Sequence, residues 1–108
     1  MLQVVTRYRV SGADTTFRDQ AAEAVEALSQ HDGFVDASLA RAVDDAGLWV
    51  LLLRWASVGA YRRALSSYDV KVGVVPLLSR AVDEPTAFEV LHRRDATGSV
   101  DATSDLAG

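Results

Sequence analysis

The sequence predicts an α+β fold of the ferredoxin-like kind: a split βαβ arrangement in which helices cover one face of an antiparallel four-stranded sheet. Three observations point there. Apolar periodicity changes along the chain in the order strand, helix, strand, strand, helical segment, strand. The turn-forming run Asp44-Asp45-Ala46-Gly47 separates two β-rich stretches and joins them as a hairpin. The length, 108 residues, supports one domain with a real core but not two.

Residues 3 to 10 are rich in β-branched and aromatic types and read as the first strand. Ser11-Gly12-Ala13-Asp14 breaks it, and Asp14 or Thr15 can cap a helix by accepting from its first free N–H groups. Phe17, Ala21, Val25 and Leu28 recur at steps of four, four and three, with Ala24 beside them, which predicts an amphipathic helix ended at Gly33. Phe34 to Val43 and Leu48 to Trp55 are the hairpin strands. Ser57 can cap a second helix with Val58, Tyr61 and Leu65 on one face and Arg62 and Arg63 outward. Val70 to Arg80 is a further helical stretch in which Pro76 must start a new turn or kink the helix. Asp83-Glu84-Pro85 breaks the chain, and Ala87 to His92 is a last strand. The expected domain is 1–94. Residues 95–108 are small and polar without a period, which predicts a disordered tail.

Composition excludes several classes of function. With 49% hydrophobic and 24% charged residues, the chain is no globally disordered protein. The absence of cysteine removes disulfides, thiolate catalysis and sulfur-ligated zinc. A net charge of -4 argues against a nucleic-acid partner, which needs a basic face. The longest apolar run, Leu48 to Leu53, is too short to cross a membrane. Arginines follow Met1-Leu2-Gln3-Val4-Val5-Thr6 too soon for a signal peptide, so the expectation is a cytoplasmic protein. Both alternating sets of Leu48 to Leu53 are apolar, although helices can cover only one face. This predicts a homodimer through the second sheet face.

Gly33-Phe34 opening a strand, Asp44-Asp45 in the hairpin and Trp55-x-Ser57-x-x-Ala60-Tyr61 resemble the antibiotic biosynthesis monooxygenase family. The resemblance runs from residue 3 to about residue 91. It implies a dimeric α+β barrel, on which cofactor-free oxygenases, haem-degrading enzymes, polyketide cyclases and proteins of no known reaction all occur. Family oxygenases acting on aromatic polyketides have a tryptophan and a tyrosine where Trp55 and Tyr61 stand. Their asparagine and arginine fall on Leu51 and Val75, so half the polar set is missing, with Lys71 or Arg80 as replacements for the arginine. The haem-degrading branch would need asparagine, tryptophan and histidine at Thr6, Ala64 and Val74, and has none of them.

The resemblance therefore implies oxygenation of a small aromatic molecule without cofactor or metal. Such chemistry needs a dry pocket, a proton relay and a donor for a developing oxyanion. Tyr61 and Trp55 are the candidate catalytic pair; Arg7, set in an otherwise apolar strand, could hold a phenolate, and Leu51, Val75 and Arg80 complete the substrate-binding set. Each has a structural explanation beside it: Tyr61 at core spacing with Val58 and Leu65, Trp55 as a barrel plug, and Arg7, Arg9 and Arg54 in surface ion pairs. His31 suits a helix C-terminus, His92 a surface cluster with Arg93 and Arg94, and Tyr68-Asp69 a capped turn. No phosphate loop, nucleophile elbow or metal motif occurs. The competing reading is a non-catalytic dimeric module that binds a small ligand or a partner, with a cyclase as a third.

Overall fold

The computed structural model describes residues 1–11 and 14–105. Their elements are β1 (Leu2–Arg9), α1 (Asp14–Ser29), β2 (Phe34–Arg41), β3 (Leu48–Trp55), α2 (Val58–Ser66), α3 (Tyr68–Gly73), α4 (Val75–Leu78), β4 (Ala87–Glu89), β5 (His92–Asp95) and β6 (Gly98–Asp101). The main sheet has the order β2-β3-β1-β4, with every neighbouring pair antiparallel. β1 and β2 thus run parallel with β3 between them, which is the predicted split βαβ topology.

Strand alternation decides which side chains face the helices. Leu2, Val4, Thr6 and Tyr8 of β1 are buried, as are Trp49, Leu51, Leu53 and Trp55 of β3. The register sets Leu2 opposite Trp55 and Tyr8 opposite Trp49, so these two rows mark the ends of one inner face. α1 covers it with Phe17, Ala21, Ala24 and Leu28. Small Ala24 takes the central place that spacing also offered to Val25, which is only half-buried. The predicted caps at Asp14 and Thr15 fall inside α1, and the cap position itself lies outside the described residues.

Gly33 links the sheet to the second helical layer. Its φ is +89°, and a Cβ there would stand 2.4 Å from the Ala60 Cβ. Only glycine permits both that conformation and that approach of α2. Ser57 caps α2 as expected, its Oγ accepting from Ala60 N at 3.1 Å. Ala60 and Ala64 are its buried residues, whereas Val58, Tyr61 and Leu65 are half-buried at the edge of that contact. Pro76 sits in the first turn of α4, where its missing N–H costs nothing, so it starts a new turn after α3.

Two expectations near the C-terminus are corrected. The strand expected from Ala87 to His92 ends at Glu89, paired with only Leu2, Gln3 and Val4 of β1. The run from Asp95, expected to be disordered, instead carries the turn of the β5–β6 hairpin to Asp101. The Asp95 carboxylate accepts from Thr97 N (2.8 Å), Thr97 Oγ1 (2.6 Å) and Gly98 N (3.1 Å), which closes the turn locally. The chain then returns to β4: Ser104 Oγ donates to Glu89 Oε1 at 2.7 Å and Asp105 N to Glu89 Oε2 at 2.8 Å. Residues 106–108 of the expected tail lie outside the described residues.

Candidate functional site

Trp55 closes β3 on the inner face and is wholly inaccessible. Its ring meets Phe34 edge-on at 5.4 Å between centroids, and Tyr61 at 5.7 Å with a tilt of 44°. α2 brings Tyr61 there because the Ser57 cap and the Gly33–Ala60 contact fix the helix against the end of β3. The indole Nε1 of Trp55 is buried without a hydrogen-bond partner. Burying such a donor unpaired costs about 1–3 kcal/mol.

Tyr8 was not singled out by the sequence, where it counted only as a strand aromatic. The signal was the alternation Leu2, Val4, Thr6, Tyr8, which puts two polar tips on the inner face. Tyr8 Oη is also buried, with the Thr6 hydroxyl as its neighbouring hydrogen-bonding group. The Thr6 hydroxyl is directed to the Leu51 carbonyl, at 3.4 Å. Burial pushes the Tyr8 phenol above its ordinary range, with nearby Thr6 and the charge of Arg80 pulling the other way. Tyr61 is also pushed up, by burial first and then by Tyr8. Both therefore act as neutral O–H donors near neutral pH.

The remaining predicted site residues divide clearly. Leu51 is fully buried on the inner face between the two rows, opposite Thr6. Arg80 lies at the Tyr8 end and donates from Nη1 to Gln20 Oε1 at 2.9 Å. Val75 is 37% exposed at the start of α4, and Lys71 is exposed on α3, so neither joins Trp55 and Tyr61. Arg7 is corrected more firmly. It projects from the opposite face of the sheet and makes a two-pronged ion pair with Glu84 at 2.7 and 2.8 Å. Strand alternation forbids it from reaching the inner face. Arg9 pairs with Asp45 at 2.5 Å and Arg54 pairs with Asp36, so these arginines follow the surface ion-pair reading.

Other clusters carry less chemistry. His31 Nε2 faces Asp69 Oδ2 at 2.9 Å and Ser67 Oγ at 3.4 Å. Both partners share one ring nitrogen, whereas a serine–histidine–aspartate relay needs one on each. The cluster instead ties the end of α1 to α3, and His31 followed by Ser67 holds the Asp69 carboxyl below its usual range. Tyr68 is 83% exposed and points away from the interior, and Ser67 rather than Asp69 takes the cap position of α3. His92 pairs across the hairpin with Asp101 at 2.5 Å. A cleft of about 470 Å³ lies apart from these groups, between α1 and β2, over Val25, Leu39 and Trp49. Among the described residues no group of three potential metal ligands comes together, and no helix is long and apolar enough to cross a membrane.

A four-stranded antiparallel sheet of split βαβ order with helices on one face defines the ferredoxin-like α+β class. The model of the family described as antibiotic biosynthesis monooxygenase matches residues 1–74, and the chain belongs to that family. It is similar to SnoaB, a cofactor-independent oxygenase from Streptomyces nogalater, in two crystal structures at 25% identity and TM-scores of 0.74 and 0.72. Each match covers 88% of this chain and 95% of that one. Rv0793 from Mycobacterium tuberculosis shares the fold at 18% identity, TM-score 0.66, over 88% of this chain and 97% of its own. A conserved protein from Methanosarcina mazei Go1 does so at 20% identity, TM-score 0.65, over 81% and 89%. No curated protein matches the chain. Family and neighbours together support a monooxygenase-like function.

Proposed function

We propose that the chain is a cofactor-free oxygenase for a small aromatic or polyketide-like molecule, acting where Trp55 and Tyr61 meet under the helices. The observation that carries this reading is the unpartnered Trp55 Nε1 beside a phenol that burial keeps protonated. Neither phenol is a base near neutral pH, so the substrate enters as its own phenolate or enolate. That anion transfers one electron to dioxygen, and the radical pair combines to a peroxide anion on the same carbon. The peroxide takes up a proton and loses water, leaving a carbonyl. Trp55 N–H and Tyr61 O–H donate to the oxygen on which negative charge collects, in a site that excludes water.

Oxygen uptake with anthrone tests this directly. Wild type should exceed the buffer rate, and Tyr61→Phe and Trp55→Phe should each lower the excess about 10-fold or more, as loss of an oxyanion donor does. A wild-type rate equal to buffer overturns the oxygenase reading. The non-catalytic ligand-binding module then takes its place, favoured by the complete burial of Leu51 in the middle of the inner face. We also infer a homodimer through the other sheet face, where Val5, Leu48, Val50 and Leu52 lie half-buried without a covering helix.

A further inference from the structure

The cleft of about 470 Å³ between α1 and the edge strand β2 has one charged end and aliphatic walls. Ala22 and Val25 of α1 and Ala37 and Leu39 of β2 form the walls, with side chains too short to close the gap. Trp49 of β3, 5% exposed, marks the charged end. The register sets Arg41 opposite Trp49, and its guanidinium lies over the indole ring at 4.9 Å, which holds that charge in place. Phe17 meets the Trp49 ring at 5.6 Å and so brings the next residue, Arg18, to the same end. Ala22 and Val25 follow Arg18 at steps of four and three and continue its stripe along the helix. Among the described residues that line the cleft none is acidic, although the chain carries a net charge of -4. Trp49 and Trp55 stand six residues apart on β3, about 20 Å, so the cleft is separate from the place where Trp55 and Tyr61 meet.

We propose that this cleft binds a small monocarboxylate with an aliphatic body, its carboxylate between Arg18 and Arg41 and its chain along Val25 and Leu39. A guanidinium is a permanent cation whose fork matches the two oxygens of a carboxylate. The chain gains by leaving water for the alanine, valine and leucine walls. A sugar or a dicarboxylate would instead set polar groups against those walls without partners. The volume falls in the range of small-molecule sites, about 300–1,000 Å³. A ligand seated here bridges α1 to the sheet edge, so its binding raises the melting temperature. The site stands whether or not oxygen is consumed at Trp55 and Tyr61.

Octanoate and octanamide, which differ in charge but little in shape, test this by calorimetric titration at neutral pH. Wild type should bind octanoate about 10-fold more tightly, the combined worth of two exposed charge contacts. Arg18→Gln and Arg41→Gln should each weaken octanoate about 3-fold, and the double variant should bind the two compounds alike. Octanamide affinity should stay at the wild-type value in all three, which reports that the cleft is intact. Ala22→Leu, at an exposed position, fills the cleft without entering the core and should weaken both compounds. The site itself is located by NMR: octanoate should shift the indole N–H resonance of Trp49 and leave that of Trp55 in place. No binding by wild type, equal affinity for the two compounds, or equal loss of both in the arginine variants would overturn the proposal. So would full affinity in Ala22→Leu, or a shift of the Trp55 resonance in place of the Trp49 one.

Discussion

Gly33 is where backbone geometry and packing impose the same choice. At φ +89° a side chain is strained, and a methyl group would overlap Ala60 at 2.4 Å. Gly33→Ala should therefore destabilise the fold by about 2–4 kcal/mol, read from the urea midpoint, because α2 must retreat from the sheet. The alkaline limb of stability depends on the two phenols. In the unfolded chain Tyr8 and Tyr61 ionise near their ordinary value of about 10, whereas burial holds them protonated to higher pH in the folded state. Their contribution is fully present below about pH 10 and is lost as pH rises through the folded values, since the unfolded chain sheds protons first. Urea midpoints should fall as pH rises above about 10, and Tyr8→Phe should flatten that fall. At this scale the family resemblance, through Trp55-x-Ser57-x-x-Ala60-Tyr61, made Trp55 and Tyr61 visible. Placing Tyr8 opposite Trp49 needed the strand register, and pairing Arg80 with Gln20 needed the course of the chain after α4.

The elements were legible where periodicity was strong. α1 and the β2–β3 hairpin follow from apolar spacing and from Asp44-Asp45-Ala46-Gly47, and the Asp45 carboxylate does accept from Gly47 N at 3.1 Å. The β5–β6 hairpin was hidden because its strands, His92–Asp95 and Gly98–Asp101, contain little apolar alternation. Its signal was Asp95-Ala96-Thr97-Gly98, a side-chain-closed turn with a glycine at its end. Thr97 and Gly98 also hold the Asp95 carboxyl below its usual range. Asp95→Ala should speed amide hydrogen exchange across 92–101 while moving the global urea midpoint by less than about 0.5 kcal/mol, because the hairpin adds no side chain to the buried core. A large loss of global stability would mean that the hairpin supports the sheet rather than extending from it.

At the scale of the whole molecule, the two faces of the sheet separate the proposed site from the proposed dimer contact. The inner face is closed by α1 to α4 and carries the buried Trp55 Nε1 and Tyr8 Oη. Among the described residues no helix covers the outer face, yet β3 presents Leu48, Val50 and Leu52 there beside Val5, with Phe88 of β4 at its margin, 47% exposed. Ion pairs lie among and beside these apolar residues: Arg7, the cross-strand neighbour of Val50, with Glu84, Arg9 with Asp45 and Arg54 with Asp36. An apolar patch with paired charges at its margins suits a protein interface, and a two-fold axis lets one patch serve both partners. Covering it also removes the sticky surface that a central all-apolar strand would otherwise expose. Light scattering at micromolar concentration should give twice the 11.6 kDa chain mass. Val50→Lys, at the centre of the patch, should return the mass to that of one chain by burying an unpaired charge at the contact, while Arg9→Ala at the rim should leave it doubled. A monomeric wild type would leave the outer-face leucines and valines without a physical account and would overturn the dimer.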